Sequence, residues 1–291
     1  MDTINLRAYA KINLGLDVIG RLDNGYHQVR MIMQSINLYD KVNLYRNNTG
    51  KIDIRTNLFY LPTGKDNLVY KAAALLMDEF GIDDGISIDL YKYIPVAAGM
   101  AGGSTDAAAV LSGINRMFGL GLTTEELMER GAHIGADVPY CIMGGTALAE
   151  GIGEKLTRLP DCPDFYVVIG KPGISVSTRH VYQQLRIDEN TVHPDIDGMI
   201  DAIKSADADG IAKRLGNVLE SVTQKEHPVI SDIKKSMLDN GAAGALMSGS
   251  GPTVFGLFDD EVKAGKCEEI LRKNKLIRNS YVVGMINGGR K

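Results

Sequence analysis

Apolar and polar residues alternate over residues 12–18, where Ile12, Leu14, Leu16 and Val18 are separated by Asn13, Gly15 and Asp17. A period of two marks a half-buried strand, because successive side chains leave a pleated chain on opposite faces. Asp23, Asn24 and Gly25 tolerate positive φ, so the chain is expected to reverse there and return as a strand over residues 29–36. The period then changes. Leu68, Ala72, Leu75, Leu76 and Phe80 recur at helical spacing after Asn67, and Gly81 supplies a stop, which predicts a helix over 67–80. Ile86, Ile88 and Leu90 alternate as a strand, and Pro95 opens a glycine-rich loop that runs into a helix from Ala107. Thr123 followed by Glu126 matches a capping box, so another helix should start there and end before Asp137.

Pro160, Asp161, Cys162, Pro163 and Asp164 interrupt both periods, which places a domain boundary there: residues 1–160 and residues 161–291. Beyond it the pattern predicts a strand at 165–169, a helix at 177–185, further helical material over 194–238, strands at 243–247 and 253–258, a helix at 261–273 and a strand at 281–286. With the helical stretches condensed, the order is β-α-β-β-α-β, which is ferredoxin-like.

Composition narrows the function classes. The 291 residues are 44% hydrophobic and 23% charged, enough for a sizeable core and near the size at which one core gives way to two. A net charge of -4 offers no basic footprint, so neither nucleic acid nor an anionic membrane is an expected partner. Charges interrupt the first apolar residues and no stretch is long enough to span a bilayer, so neither export nor insertion is expected. Three scattered cysteines suggest neither a disulfide framework nor a CxxC site and fit a reducing, cytoplasmic setting. His133, His180, His193 and His227 have no ligand-like spacing, which argues against zinc, and no residue is assigned as a metal ligand. Oligomeric state is not legible.

The strongest chemical signal is PVAAGMAGGSTDAAA, residues 95–109. Glycines between a strand and a helix let backbone N–H groups approach a phosphate, and the helix start adds unsatisfied donors. Ser104 and Thr105 add hydroxyls, and Asp106 could assist through a metal or through capping. The stretch lacks the GxxxxGK[ST] of a P-loop and the spacing of a dinucleotide fingerprint. A plain strand-to-helix connection with Ser104 as N-cap is the alternative.

The order of residues here resembles the second motif of the GHMP kinases, the family of galactokinase, homoserine, mevalonate and phosphomevalonate kinases, with Met100 in place of the usual Leu. AYAKINLGLDVIGRLDNGYHQV at residues 8–29 is similar to that family's first motif, and GALMSGSGPTVFGLF at 244–258 to its third. IGADVPYCIMGG at 134–145 agrees, so the resemblance covers nearly the whole chain except residues 192–227. It implies a two-domain α/β fold: an N-terminal α/β domain shared with a ribosomal protein and a C-terminal ferredoxin-like domain. It also implies ATP and magnesium, with Pro95, Val96, Ala97, Ala98, Gly99, Met100, Ala101, Gly102, Gly103, Ser104 and Thr105 around the phosphates and Asn67 near the adenine.

By the same resemblance Asp137 is the general base and Lys11 its electrostatic partner, although alone the one reads as a turn-former and the other as a solvated strand lysine. Asn13, on the face of Lys11, would bond substrate. The form GMAGGSTDAA, with the GYH segment, is nearest the branch that phosphorylates the 2-hydroxyl of 4-diphosphocytidyl-2-C-methyl-D-erythritol in non-mevalonate isoprenoid synthesis. Tyr26 and His27 would then hold cytosine, with Tyr182 on the other face, although Tyr182 at helical spacing could equally be core. A sister kinase acting on homoserine or a mevalonate-type acid, and a nonenzymatic nucleotide sensor, are the rival readings. A carboxylate substrate calls for a cationic partner that the GYH segment lacks, and a sensor would be expected to lose Lys11 or Asp137.

Overall fold

The computed structural model describes residues 2–22 and 25–288. The chain forms two compact units that interleave along the sequence. The reason lies in two strands, β1 (Thr3–Arg21) and β2 (His27–Asn47), of 19 and 21 residues, each long enough to serve two cores. The expected reversal at Asp23 and Asn24 lies outside the described residues. Leu22 and Gly25 flank it, with Leu22 N–H bonded to the Tyr26 carbonyl and Gly25 N–H to the Leu22 carbonyl.

The first unit comprises residues 2–10, 38–96 and 101–143. Its strands stand in the order β3 (Ile52–Thr56), β4 (Gly85–Tyr91), β2, β1, with β3 parallel to β4 and β4 antiparallel to residues 41–47 of β2. Three helices read from the sequence are present, α1 (Leu68–Glu79), α2 (Gly102–Phe118) and α3 (Thr124–Ala132), and a short fourth that was not read, α4 (Val138–Met143), follows them. Val42, Leu44, Ile86 and Ile88 of the sheet share one core with Ala72, Leu76, Val110 and Ile114. Burying each large aliphatic chain contributes about 1.5–3 kcal/mol. Gly113 sets the closeness of α2, since a Cβ there would come within 2.7 Å of Leu6. The capping box at α3 is present in both directions, Thr123 Oγ1 accepting from Glu126 N–H and Glu126 accepting from Thr123 N–H.

The second unit comprises residues 11–37, 97–100 and 144–288. Here β2 pairs with β5 (Thr146–Gly151), which pairs with β6 (Lys155–Arg158). A second sheet holds β7 (Tyr166–Lys171), followed by α5 (Thr178–Gln184), α6 (Ile196–Lys204) and α7 (Ala208–Lys213). The short β8 (Gly216–Asn217) joins β1 in parallel rather than the second sheet. Then come α8 (Glu220–Glu226), α9 (Val229–Asp239), β9 (Gly244–Met247), β10 (Val254–Phe258), α10 (Glu261–Lys273) and β11 (Asn279–Gly284). The order β11-β7-β10-β9, all antiparallel, is the ferredoxin-like order expected from the pattern.

Residues 160–165 are irregular, as read, yet they are tied to β5: Leu159 N–H bonds the Thr146 carbonyl and Cys162 N–H the Thr146 hydroxyl. Those bonds keep the segment inside one unit. Among the described residues no helix is long and apolar enough to cross a membrane.

Candidate active site

Three residues of the glycine-rich loop adopt left-handed backbone conformations: Ala97 at φ 52°, Gly99 at 73° and Ala101 at 56°. Left-handed alanine is strained by about 1–2 kcal/mol, and alternating handedness turns successive N–H groups inward into an anion-binding nest. Ala101 is also the N-cap of α2 and brings no side-chain cap, so the amides of Gly102, Gly103 and Ser104 open the helix unblocked. The helix therefore begins five residues before the expected Ala107, and Ser104 lies inside its first turn instead of capping it. Side chains of Ala98 and Met100 are buried, which leaves the loop's chemistry to its backbone.

Within the second unit this loop is braced by the other glycine-rich turn. Ser248 Oγ donates to the Gly99 carbonyl at 2.9 Å, a Cβ on Gly99 would strike the Ser248 carbonyl, and one on Gly249 would lie 3.3 Å from Gly99 O. Asn217 fixes that turn by donating to the Met247 and Gly249 carbonyls, both at 2.8 Å. Lys11 belongs to the same cluster: its N–H bonds the Met100 carbonyl at 3.2 Å and its ammonium donates to Asn13 Oδ1 at 2.8 Å. Both side chains are buried, so this strand is covered on both faces and not half-exposed. Gly15 and Asp17, next along that face, lie under Ile196 and His193.

In the first unit, Asp137 stands on the turn between α3 and α4, half-buried, and its carboxylate makes no hydrogen bond or ion pair among the described residues. A Cβ on Gly135 would lie 4.0 Å from Ser104 Oγ, which sets this turn beside the helix start. Thr105 requires a correction. Its hydroxyl, expected to serve phosphate, is buried and donates to the Tyr9 carbonyl at 2.8 Å, while its N–H bonds Ala101 O. Asp106 neither caps the helix nor faces solvent, because its Oδ2 accepts from buried Lys92 at 2.5 Å. Asn67 caps α1, accepting from Val69 N–H and donating to Pro62 O, which leaves one N–H for any other use. Sequence reading missed Lys92 and its second partner Asp40; the only local signal was a lysine three residues before the loop proline.

In the second unit His27 meets Tyr182, with ring centroids 5.1 Å apart and planes tilted by 39°. Burial, then nearby Arg21, holds the His27 imidazole below its ordinary pKa, so it is neutral near pH 7. Tyr26 is mostly exposed. Burial pushes the Cys162 thiol up to about 12 and Cys267 to about 11, so neither is a nucleophile at neutral pH.

Residues 67–145 match the GHMP kinases N terminal domain and residues 199–276 the GHMP kinases C terminal domain. A 4-diphosphocytidyl-2-C-methyl-D-erythritol kinase of Lachnospira eligens is 56% identical over 97% of this chain and 98% of its own, and one from Clostridium perfringens is 48% identical over 98% and 99%. A crystal structure of 4-(cytidine 5'-diphospho)-2C-methyl-D-erythritol kinase superposes with a TM-score of 0.84 at 31% identity, covering 98% of this chain and all of that one. Homoserine kinase from Cytophaga hutchinsonii, at 22% identity and a TM-score of 0.81, shares the fold. The chain belongs to the GHMP kinase family, on the branch of the 4-diphosphocytidyl-2-C-methyl-D-erythritol kinases.

Proposed function

We propose that this chain transfers the γ-phosphoryl group of ATP to the 2-hydroxyl of 4-diphosphocytidyl-2-C-methyl-D-erythritol, in the cytoplasm. The observation that carries the reading is the left-handed alternation at Ala97, Gly99 and Ala101 leading into an uncapped helix start, in a chain whose relatives bear that activity. Residues 95–104 hold the phosphates through backbone amides, and Asn67 lends its remaining N–H near the adenine. The division near residue 160 is part of the same proposal as a boundary between the two matched family segments, and not between the compact units.

Asp137 takes the proton from the attacking hydroxyl, a role its unpartnered carboxylate suits. Lys11 keeps positive charge at the reacting oxygens, and Asn13, which orients the ammonium, also bonds the alcohol. Tyr26, His27 and Tyr182 receive the cytosine; a neutral imidazole can both donate and accept at its polar edge.

Magnesium fits this donor set as a companion of the nucleotide. Among the described residues no three His, Cys, Asp or Glu side chains gather to cage an ion, and Asp106 is committed to Lys92. The Ser104 hydroxyl is free to hold it, with phosphate oxygens and water as the other ligands. When bound, the ion offsets charge on the transferred group.

The test is ADP release with ATP and either the cytidylyl alcohol or homoserine. Turnover with the first and not the second is expected; the reverse would reject the substrate.

A further inference from the structure

The proposed chemistry leaves three buried charges in the first unit without a role: Asp40, Lys92 and Asp106, all less than a tenth exposed. The Lys92 ammonium donates to Asp40 Oδ2 and, at 2.5 Å, to Asp106 Oδ2. Asp40 Oδ1 accepts the N–H groups of Tyr93 and Ile94 at 2.5 and 2.8 Å. The backbone of Lys92 is held again by Asn57, which accepts from its N–H at 2.8 Å and donates to its carbonyl at 3.1 Å. Gly102 makes room for the ammonium, since a Cβ there would lie 3.3 Å from Lys92 Nζ. One lysine is thus bonded to a carboxylate that grips the chain just before Pro95 and to another one residue past Thr105.

We propose that Asp40, Lys92 and Asp106 form a clamp that fixes both ends of the loop at residues 95–105 and so sets its affinity for nucleotide. The clamp touches no substrate; these are positioning residues. This rests on reading the loop as the ATP-phosphate site. Left-handed alanines at 97 and 101 persist only where the surroundings over-determine the backbone, and anchors at both ends do that. Three full charges would leave the cluster at -1. Burial, reinforced by Asp40 and opposed by Lys92, raises the Asp106 carboxyl well above the ordinary range, which lessens that excess of negative charge. Asp106 Oδ1 has no hydrogen-bond partner among the described residues, so Lys92 is the contact that holds this carboxyl.

The clamp is tested by steady-state kinetics with ATP and the cytidylyl alcohol. Asp106→Ala removes one anchor and should raise KM for ATP about 10-fold, the scale of a sub-ångström misplacement, with KM for the alcohol little changed. Asp106→Asn keeps a neutral acceptor for Lys92 and should recover most of that loss. Should Asp106→Ala fold poorly, the charge-free triple variant Asp40→Asn, Lys92→Met, Asp106→Asn strands no buried ion and keeps the fold. Its KM for ATP should remain raised. A parent-like KM for ATP in the folded triple variant, or equal loss in Asp106→Ala and Asp106→Asn, overturns the clamp. Gly103→Val probes the cradle alone: folded, with unchanged ATP affinity, it would sink the underlying reading instead.

Discussion

At the scale of single residues, Asp137 bears the sharpest consequence. Its carboxylate is half-buried and unpartnered among the described residues, so Asp137→Asn alters proton affinity while leaving shape and contacts in place. Single-turnover phosphoryl transfer at saturating ATP and alcohol should slow by about 10²–10⁴-fold, the usual range for a lost general base. A chemical step within a few-fold of the parent would remove Asp137 from that role. Ala101 bears a consequence of opposite sign. Its φ of 56° suits glycine, so Ala101→Gly relieves strain that outweighs the added freedom of the unfolded chain. Thermal unfolding should show a gain of up to about 1 kcal/mol, whereas Ala108→Gly in the middle of α2 should lose about 1 kcal/mol. A loss at both positions would mean that Ala101 is not strained.

At the scale of elements, legibility followed how local the signal was. α1, β10 and the start of α3 matched the sequence pattern to within one or two residues, because caps, stops and periods sit in neighbouring positions, while α3 stops at Ala132, short of the expected end before Asp137. Thr123→Ala, which deletes the capping box, should cost about 1 kcal/mol without changing the kinetics of transfer. Altered KM or kcat would tie α3 to the site more directly than its bonds suggest. The α2 start was misread because Gly102, Gly103 and Ser104 have poor helix propensity, which the first turn tolerates. The two-residue β8 has too few positions for any period. β3 pairs with β4 and β5 with β2 across long stretches of chain, so those pairings have no local trace, and the β5–β6 hairpin, though local, was not read. The same distance hid Asp40 from Lys92, 52 residues apart. Motifs, by contrast, singled out Lys11 and the 95–105 loop as candidates because they set residue types at close spacing, although the commitment of the Thr105 hydroxyl to Tyr9, 96 residues away, left no local trace.

At the scale of the whole molecule, the two units do not follow one another along the chain, because β1 and β2 each contribute to both. A cut near residue 160 would therefore strip the second unit of residues 11–37 and 97–100. The buried carboxyl at position 106 makes global stability depend on pH in a direction that can be worked out. Burial is the largest cause of its raised pKa, Asp40 adds to it and Lys92 opposes it. A carboxyl with a native pKa above its unfolded value of 3.8 favours the folded state fully below 3.8 and loses that contribution as pH rises through the native pKa. Asp106→Asn cannot ionise. Relative to the parent it should therefore gain stability steadily as pH rises from about 4, by up to roughly 1.4 kcal/mol per pH unit, until the native carboxyl ionises and the difference levels off. Urea unfolding of both proteins between pH 4 and pH 8 measures it. A difference that stays constant across that window would mean that Asp106 is ionised in the folded protein and that Lys92, rather than a bound proton, balances it.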